Sequence, residues 1–222
     1  MLLYQLNKTV LQVSNQPEKL LVGLTTNTSD ATKNAFVDRF GKTIATADQI
    51  KKSDDEMLLV VSPHCLQQLY THLKQYLSLT ETQIKQDSHF VYYDTDNSYS
   101  IKENEYALPQ KKGQIILTKE KQTTQSEEEF TMFRIENNIP LHGIDYTNEM
   151  LLNVSEEYVS WSKGCFLGQE VLARVHHLGK PPLKLIVAYE NELSEEQRKK
   201  MTSVCIEPKT GRKKGFLFVR NV

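Results

Sequence analysis

The sequence lacks the features that mark membrane, secreted and nucleic-acid-binding proteins. It has no apolar run near the roughly 18 residues that span a bilayer. Its three cysteines form no CxxC or metal-type pair, and the N-terminal segment carries no secretory or import signal. A net charge of -1 gives no bulk attraction for nucleic acid. We therefore expect a cytoplasmic protein with free thiols, no permanently bound metal, no membrane contact and no direct nucleic-acid partner.

The chain has enough residues for one large or two modest domains. Its 222 residues are 39% hydrophobic and 25% charged, values close to those of ordinary globular proteins. Gly179, followed closely by two prolines, ends a helical pattern and precedes a β-rich C-terminal stretch. We predict a main region over residues 1–180 and a small β-unit over residues 181–222.

The local patterns alternate between strands and helices and predict an α+β protein. Met57–Val61 is a short apolar run typical of a buried strand, and Ser62 and Pro63 then suit a helix N-cap and first turn. Short strands are predicted over residues 84–118, including one at Tyr99–Ile101. Three more are predicted after residue 182.

A helix is also predicted to begin at the polar segment that starts with Ser126. Ser126 and Glu129 have the spacing of a capping box. Asn138 is a suitable stop, because asparagine tolerates left-handed backbone and the next residue precedes a proline.

The stretch KGCFLGQEVLAR, Lys163–Arg174, combines residue types that packing alone does not require. Its glycines allow a ligand to approach the backbone closely. Cys165 is predicted to lie near a helix N-terminus, where the helix dipole and Lys163 would stabilise a thiolate. Glu170 and Arg174 stand four residues apart in the order that supports a helix.

Two blocks of the sequence resemble the YgfZ-type folate-binding proteins, in the superfamily of the glycine-cleavage T-protein, an aminomethyltransferase. They are RIENNIPLHGIDY (Arg134–Tyr146) and KGCFLGQEVLAR, and the HHLG tail at His176–Gly179 resembles the iron–sulfur assembly branch. GLTTNTSD (Gly23–Asp30) is similar to the family's Gly-x-x-Thr-Asn segment, and FVDRFGKTIAT (Phe36–Thr46) to its hairpin around a glycine.

The resemblance implies an aminomethyltransferase-like fold, with mixed and antiparallel sheets and helices around a central channel that binds tetrahydrofolate, followed by a small barrel. Glu136 would then accept hydrogen bonds from the pterin ring, a task that suits a carboxylate. Asn27, Lys163, Gly164 and Arg174 complete the implied folate site. For the charged residues the alternative is an ordinary solvated surface position.

Cys165 has two readings. It is either a small buried hydrophobe, as free cysteines often are, or a partly exposed, reactive thiol. The preceding glycine and Lys163 favour the second. Adjacent His176 and His177 point about 100° apart on a helix, so a metal site shared with Cys165 is disfavoured.

The sequence departs from the transferase pattern at an acidic position. Many relatives carry an aspartate five residues after the hairpin glycine, where it assists proton transfer at the folate nitrogen. Counting from Gly41 gives Thr46, whose hydroxyl is no general base near neutral pH; Asp48 lies two residues further on. The family's Thr-Asn-Asp also ends in Thr28 here.

Three functions remain in contention. The first is a folate-binding accessory factor that supports assembly or repair of iron–sulfur enzymes, including those that modify tRNA, with iron–sulfur proteins or assembly factors as partners. The second is a tetrahydrofolate-dependent aminomethyl or one-carbon transferase, weakened by the missing aspartate. The third is a folate-free interaction module that retains only the fold.

Overall fold

The computed structural model describes residues 3–221 as twelve strands and six α-helices. The strands are β1 (Leu3–Gln5), β2 (Thr9–Ser14), β3 (Lys33–Val37), β4 (Thr43–Ser53), β5 (Glu56–Val61), β6 (Gln83–Asp87), β7 (Phe90–Asp94), β8 (Tyr106–Pro109), β9 (Gln114–Thr118), β10 (Leu183–Tyr189), β11 (Thr202–Ile206) and β12 (Lys213–Arg220). The helices are α1 (Pro17–Leu21), α2 (Leu66–Thr80), α3 (Glu127–Glu136), α4 (Leu151–Val154), α5 (Gln169–His177) and α6 (Glu195–Arg198). Within these residues, no helix is both long enough and apolar enough to cross a bilayer.

A five-stranded antiparallel sheet, in the order β3-β4-β5-β2-β6, forms the middle layer. Strand β5 is almost wholly apolar because both faces of this sheet are covered. Met57 and Leu59 belong to the core beneath α1 and α2, whereas Leu58 and Val60 belong to the core shared with a second sheet. The predicted buried strand and the helix after it are confirmed. Ser62 has extended backbone at the helix start, but its side chain makes no capping hydrogen bond.

The second sheet is antiparallel, in the order β1-β7-β9-β8. Val91 and Leu117 pack toward the middle sheet, and Tyr99 covers Tyr92 on the opposite face. The strand predicted at Tyr99–Ile101 is wrong, because this segment is a loop. The backbone N–H of Tyr99 donates to the Asp94 carboxylate at 2.9 Å, so a side chain satisfies the amide that a strand partner would otherwise take.

The third sheet contains the three strands predicted near the C-terminus, in the antiparallel order β10-β12-β11. Leu185 and Phe216 from this sheet share a core with Ile135 and Tyr146. The predicted α+β class is confirmed as mixed helices and antiparallel sheets. The division of the chain at residue 180 stays a prediction.

Helix α3 begins and ends as its sequence predicts. The backbone N–H of Glu129 donates to the Ser126 hydroxyl at 3.2 Å, and the Glu129 carboxylate accepts the Ser126 backbone N–H at 3.1 Å. Beyond the helix, Asn138 has a φ of 53°, the left-handed backbone expected at a stop. Both ends are therefore fixed by local signals.

A buried ion pair joins α3 to the third sheet. Arg134 Nη1 lies 2.6 Å from Asp145 Oδ2, and the two side chains are 4% and 0% exposed. The same carboxylate accepts the Leu141 backbone N–H and the Thr202 hydroxyl, each at 2.8 Å, and also the Ser203 hydroxyl. Arg134 donates in turn to the Ser203 oxygen at 2.7 Å. Arg134 at the start of the RIENNIPLHGIDY block and Asp145 near its end are thus held to each other and to β11.

We predict that Asp145→Asn lowers the free energy of unfolding by roughly 3–5 kcal/mol, because it leaves the Arg134 charge buried without a counter-charge. Chemical denaturation followed by circular dichroism measures the change. Glu170→Gln is the matched control: it breaks an exposed pair in which Arg174 Nη2 lies 3.0 Å from Glu170, so it should change stability little. Equal denaturation midpoints for the two variants would contradict the prediction.

Candidate functional site

A cavity lies where the first two sheets meet the segments that follow α3 and α4. It is lined by Lys33 from β3, Gln110 beyond β8, Asn138–Pro140 beyond α3, Tyr158 beyond α4, and Leu185 from β10. Residues from distant parts of the chain therefore converge on one cavity. Its lining mixes polar and apolar side chains, as is usual for sites that bind small molecules.

Three tyrosines line this cavity, which we call the tyrosine cavity: Tyr93, Tyr146 and Tyr158. The Tyr146 hydroxyl lies 2.9 Å from Thr46 Oγ1, and the Tyr93 hydroxyl donates to the Lys112 carbonyl. Burial raises the pKa of all three phenols above the usual value. All three are neutral near pH 7, and a phenol hydroxyl can both donate and accept hydrogen bonds.

Charged groups of both signs surround the same cavity. Lys33 and Asp48 are paired across β3 and β4, and Gln110 Nε2 donates to Asp48 Oδ1 at 3.0 Å. Lys33 Nζ lies 3.2 Å from a Glu157 carboxylate oxygen and 5.5 Å from the centre of the Tyr158 ring. Burial alone would lower the pKa of Lys33, but Asp48 and Glu157 raise it above its ordinary value. The lysine is thus a cation paired with Glu157 and stabilised by the nearby charge of Asp48.

This combination suits a flat ligand with polar edges. Tyrosine faces pack on planar rings, and carboxylates accept hydrogen bonds from ring or exocyclic N–H groups. Lys33, together with the exposed Lys111 at the rim, supplies positive charge for an acidic part of such a ligand. The arrangement is therefore suited to binding and orienting such a ligand.

Asn27 lies directly behind the tyrosine cavity. Its side-chain amide donates to the carbonyl of Lys33 at 3.0 Å and to that of Glu157 at 3.5 Å, while its oxygen accepts the Thr28 backbone N–H at 2.9 Å. Both Lys33 and Glu157 line the cavity. The amide therefore positions two cavity residues through their main chains and does not line the cavity itself.

Glu136 is exposed at the end of α3 and lines an adjoining open groove. The groove also contains Lys184 and Lys214, and it shares Asn138 and Leu185 with the tyrosine cavity. Glu136 thus faces a neighbouring surface that is continuous with the cavity through two common residues.

Cys165 is exposed and lines a different groove, with Leu20, Val22 and Phe166. Helix α5 begins at Gln169, four residues after Cys165, so the predicted location near a helix N-terminus holds along the chain. The reactivity of the thiol stays a prediction. Among the other two thiols, Cys65 is buried.

Lys163 makes structural contacts. Its ammonium donates to the Thr25 carbonyl and, at 3.0 Å, to the Thr25 hydroxyl, and it lies 5.7 Å from the centre of the Phe166 ring. Burial lowers the pKa of Lys163 to about 8. Arg174 is exposed on α5 and forms the predicted pair with Glu170. Neither lines the tyrosine cavity.

The two glycines of KGCFLGQEVLAR have different surroundings. Gly168 has a φ of +83°, and a Cβ there would lie 2.4 Å from the Asp38 carbonyl oxygen, because the start of α5 packs on the β3–β4 turn. Gly41 in that turn packs in the same way against Leu172. Gly164 has open space around it and ordinary backbone. The fold therefore requires Gly168 but not Gly164.

The residues that line the cavity were outside the predicted site set. Tyr146 stands at the end of the RIENNIPLHGIDY block, so it carried a usable signal. Asp48, in register with Lys33, accepts a hydrogen bond from the cavity residue Gln110 and is not itself a lining residue. Tyr158 and Glu157 follow α4 in a stretch with no motif. Within residues 3–221, no group of three His, Cys, Asp or Glu side chains is arranged to hold a metal ion.

No protein-family model matches the chain, and no curated protein matches it. A solved structure does: the glycine cleavage system aminomethyltransferase T from Bartonella henselae. The TM-score is 0.70 at 10% sequence identity, over 98% of this chain and 78% of that one. The chain therefore shares the aminomethyltransferase T fold.

We predict that Gly168→Ala lowers the free energy of unfolding by about 2–4 kcal/mol, from the left-handed backbone and the clash with the Asp38 carbonyl. Gly164→Ala, four residues away, should change it by less than about 0.5 kcal/mol. Thermal or chemical denaturation of the pair measures both. A similar fall in the free energy of unfolding for the two variants would contradict the prediction.

Proposed function

We propose that the protein is a tetrahydrofolate-binding accessory factor that supports assembly or repair of iron–sulfur enzymes, including those that modify tRNA. The observation that carries the folate part is the tyrosine cavity, in which Tyr146 and Tyr158 line the same space as Lys33 and Glu157. The shared fold supports it, because the solved neighbour is an aminomethyltransferase of the glycine cleavage system.

The cavity residues fit the chemical groups of a folate. A pterin ring is planar and has an aminopyrimidine edge, so it suits a tyrosine wall beside Asp48 or Glu157. The glutamate part of a folate is acidic, and Lys33 and Lys111 are the cations that line the cavity. When bound, the cofactor would supply a carrier for a one-carbon unit.

Glu136, Lys163, Gly164 and Arg174 remain proposed folate contacts of different strength. Glu136 has the best support, because its groove shares Asn138 and Leu185 with the cavity, so an extended ligand could contact both. Lys163 and Arg174 already have partners in Thr25 and Glu170. Asn27 fits a supporting role through the main chain of Lys33.

We predict saturable binding of tetrahydrofolate to the wild-type protein in calorimetric titrations. Asp48→Asn should weaken it by about 10- to 100-fold, because hydrogen bonds to charged groups contribute about 1.5–3 kcal/mol. Glu136→Gln is the comparison variant and should weaken binding less. The reverse order would assign the pterin contact to Glu136. Absence of binding to the wild-type protein would reject the folate role and leave the interaction module.

A specific observation also favours the alternative, an aminomethyl or one-carbon transferase. Thr46 is engaged with the Tyr146 hydroxyl, but the Asp48 carboxylate lies on the same strand and is held by Gln110, a cavity residue. An acid is therefore available near the cavity despite the threonine. Tetrahydrofolate-dependent turnover of an aminomethylated carrier protein, lost in Asp48→Asn, would establish this alternative.

The iron–sulfur role is supported by the resemblance of KGCFLGQEVLAR to the YgfZ-type proteins and by the exposure of Cys165. A thiol at the surface is accessible to a partner protein, whereas Cys65 is buried. In cells that lack the gene, we predict lower activity of cluster-dependent enzymes under oxidative stress. Cys65→Ser should restore this activity and Cys165→Ser should not. Full restoration by Cys165→Ser would remove the thiol from the proposal.

A further inference from the structure

A second cavity lies on the far side of two stacked rings. The rings of His142 and Tyr146 are 5.1 Å apart at an angle of 17°. Tyr146 lines the tyrosine cavity, whereas His142 lines the second one, together with Lys8 and the stacked pair Tyr4 and Phe130. We call the second space the lysine cavity. Each ring of this stacked pair thus lines one of the two cavities.

Lys8 is a half-buried cation that lines this cavity. It follows the tight turn between β1 and β2, where its backbone N–H donates to the Leu6 carbonyl at 2.9 Å. Its side chain is half-buried, and no carboxylate of residues 3–221 forms an ion pair with it. Burial lowers the pKa of Lys8, and the more distant cations Lys33 and Arg134 act in the same direction. A half-buried cation without an ion-pair partner is available to bind an anion.

His64 adds a second basic group to the same cavity. Its ring reaches the 141–144 segment because Gly143 has no side chain: a Cβ there would lie 2.7 Å from the His64 ring and 2.6 Å from the Ser62 hydroxyl. Burial lowers the pKa of His142 to about 4, and the charges of Lys8 and His64 contribute to the shift. The three basic side chains are therefore close enough to act on one another.

None of the described carboxylates around the cavity forms an ion pair with Lys8. Glu127, in the first turn of α3, lines the cavity but forms no ion pair with Lys8. Asp145 is committed to Arg134. Asp48 acts on Lys8 at longer range, and Gln110 binds it on the tyrosine-cavity side. Among the charged residues that line the cavity, Arg134 is therefore paired with Asp145, whereas Lys8 has no ion-paired carboxylate within the described residues.

We infer that the lysine cavity is a binding site for a small oxyanion, the carboxylate or phosphate group of a metabolite, held by Lys8 with His64 beside it. This site is separate from the tyrosine cavity, and the inference does not depend on the proposed folate binding. An oxyanion would supply the counter-charge that Lys8 lacks among its protein neighbours.

The test uses inorganic phosphate and acetate as separate probes, at constant ionic strength with chloride as the background anion. Calorimetry measures affinity, and the His142 ring signal in NMR reports the site directly. We expect saturable binding of at least one probe, with a rise in the pKa of His142 because the anion offsets the Lys8 charge. Preference between the two probes identifies the anion class.

Three variants separate a binding site from a structural lysine. Lys8→Met keeps the unbranched stem, so it should remain folded yet bind at least about tenfold more weakly. Lys74→Met removes an exposed lysine on α2 and should bind normally. Glu127→Gln should bind more tightly, because it removes a carboxylate from the lining.

The inference is overturned if neither probe binds saturably at millimolar concentration, or if Lys8→Met binds as the wild type does. If Lys8→Met does not fold, Glu127→Gln decides: unchanged affinity would contradict a site in this cavity. Tetrahydrofolate titrations report the other cavity, so the two proposals fail independently.

Discussion

The ion pair between Arg134 and Asp145 is the contact on which the arrangement of both cavities depends. It fixes the end of α3 against the turn that follows and, through Ser203, against the third sheet. That turn carries His142 toward one cavity and Tyr146 toward the other. A buried pair adds little net stability over apolar packing, but it is costly to break, so it selects one register of the α3 segment over others.

Close backbone approach is the second constraint. Gly143 lets the same turn approach His64, and Gly168 lets α5 pack on the β3–β4 turn. Strand β3 leads into that turn, and Lys33 at the other end of the strand lines the tyrosine cavity. Two sequence blocks that resemble a ligand signature therefore act largely as structural ties, and the side chains that line the cavity are attached to the elements that these ties hold.

Local signals were predicted well, and long-range ones were not. The capping box at Ser126, the stop at Asn138 and the double-sided strand β5 each depend on a few neighbouring residues. The loop at Tyr99 looked like a strand because its pattern is apolar, yet the Asp94 carboxylate takes its amide. The tyrosine cavity joins Lys33 to Tyr158, 125 residues apart, and no local pattern encodes that meeting. Of the two blocks that carry the resemblance, RIENNIPLHGIDY contributes Tyr146 to the cavity lining, and KGCFLGQEVLAR contributes none of the lining residues.

The separation of Cys165 from the tyrosine cavity bears on what kind of protein this is. The thiol lines a groove beside α1 and α2, and that groove shares no residue with the cavity. A self-contained enzyme needs its nucleophile, base and substrate within hydrogen-bonding reach. Here the exposed thiol is not among the residues that line the cavity. The proposed accessory role is consistent with this separation, and Asp48 remains the residue whose replacement distinguishes it from the proposed transferase.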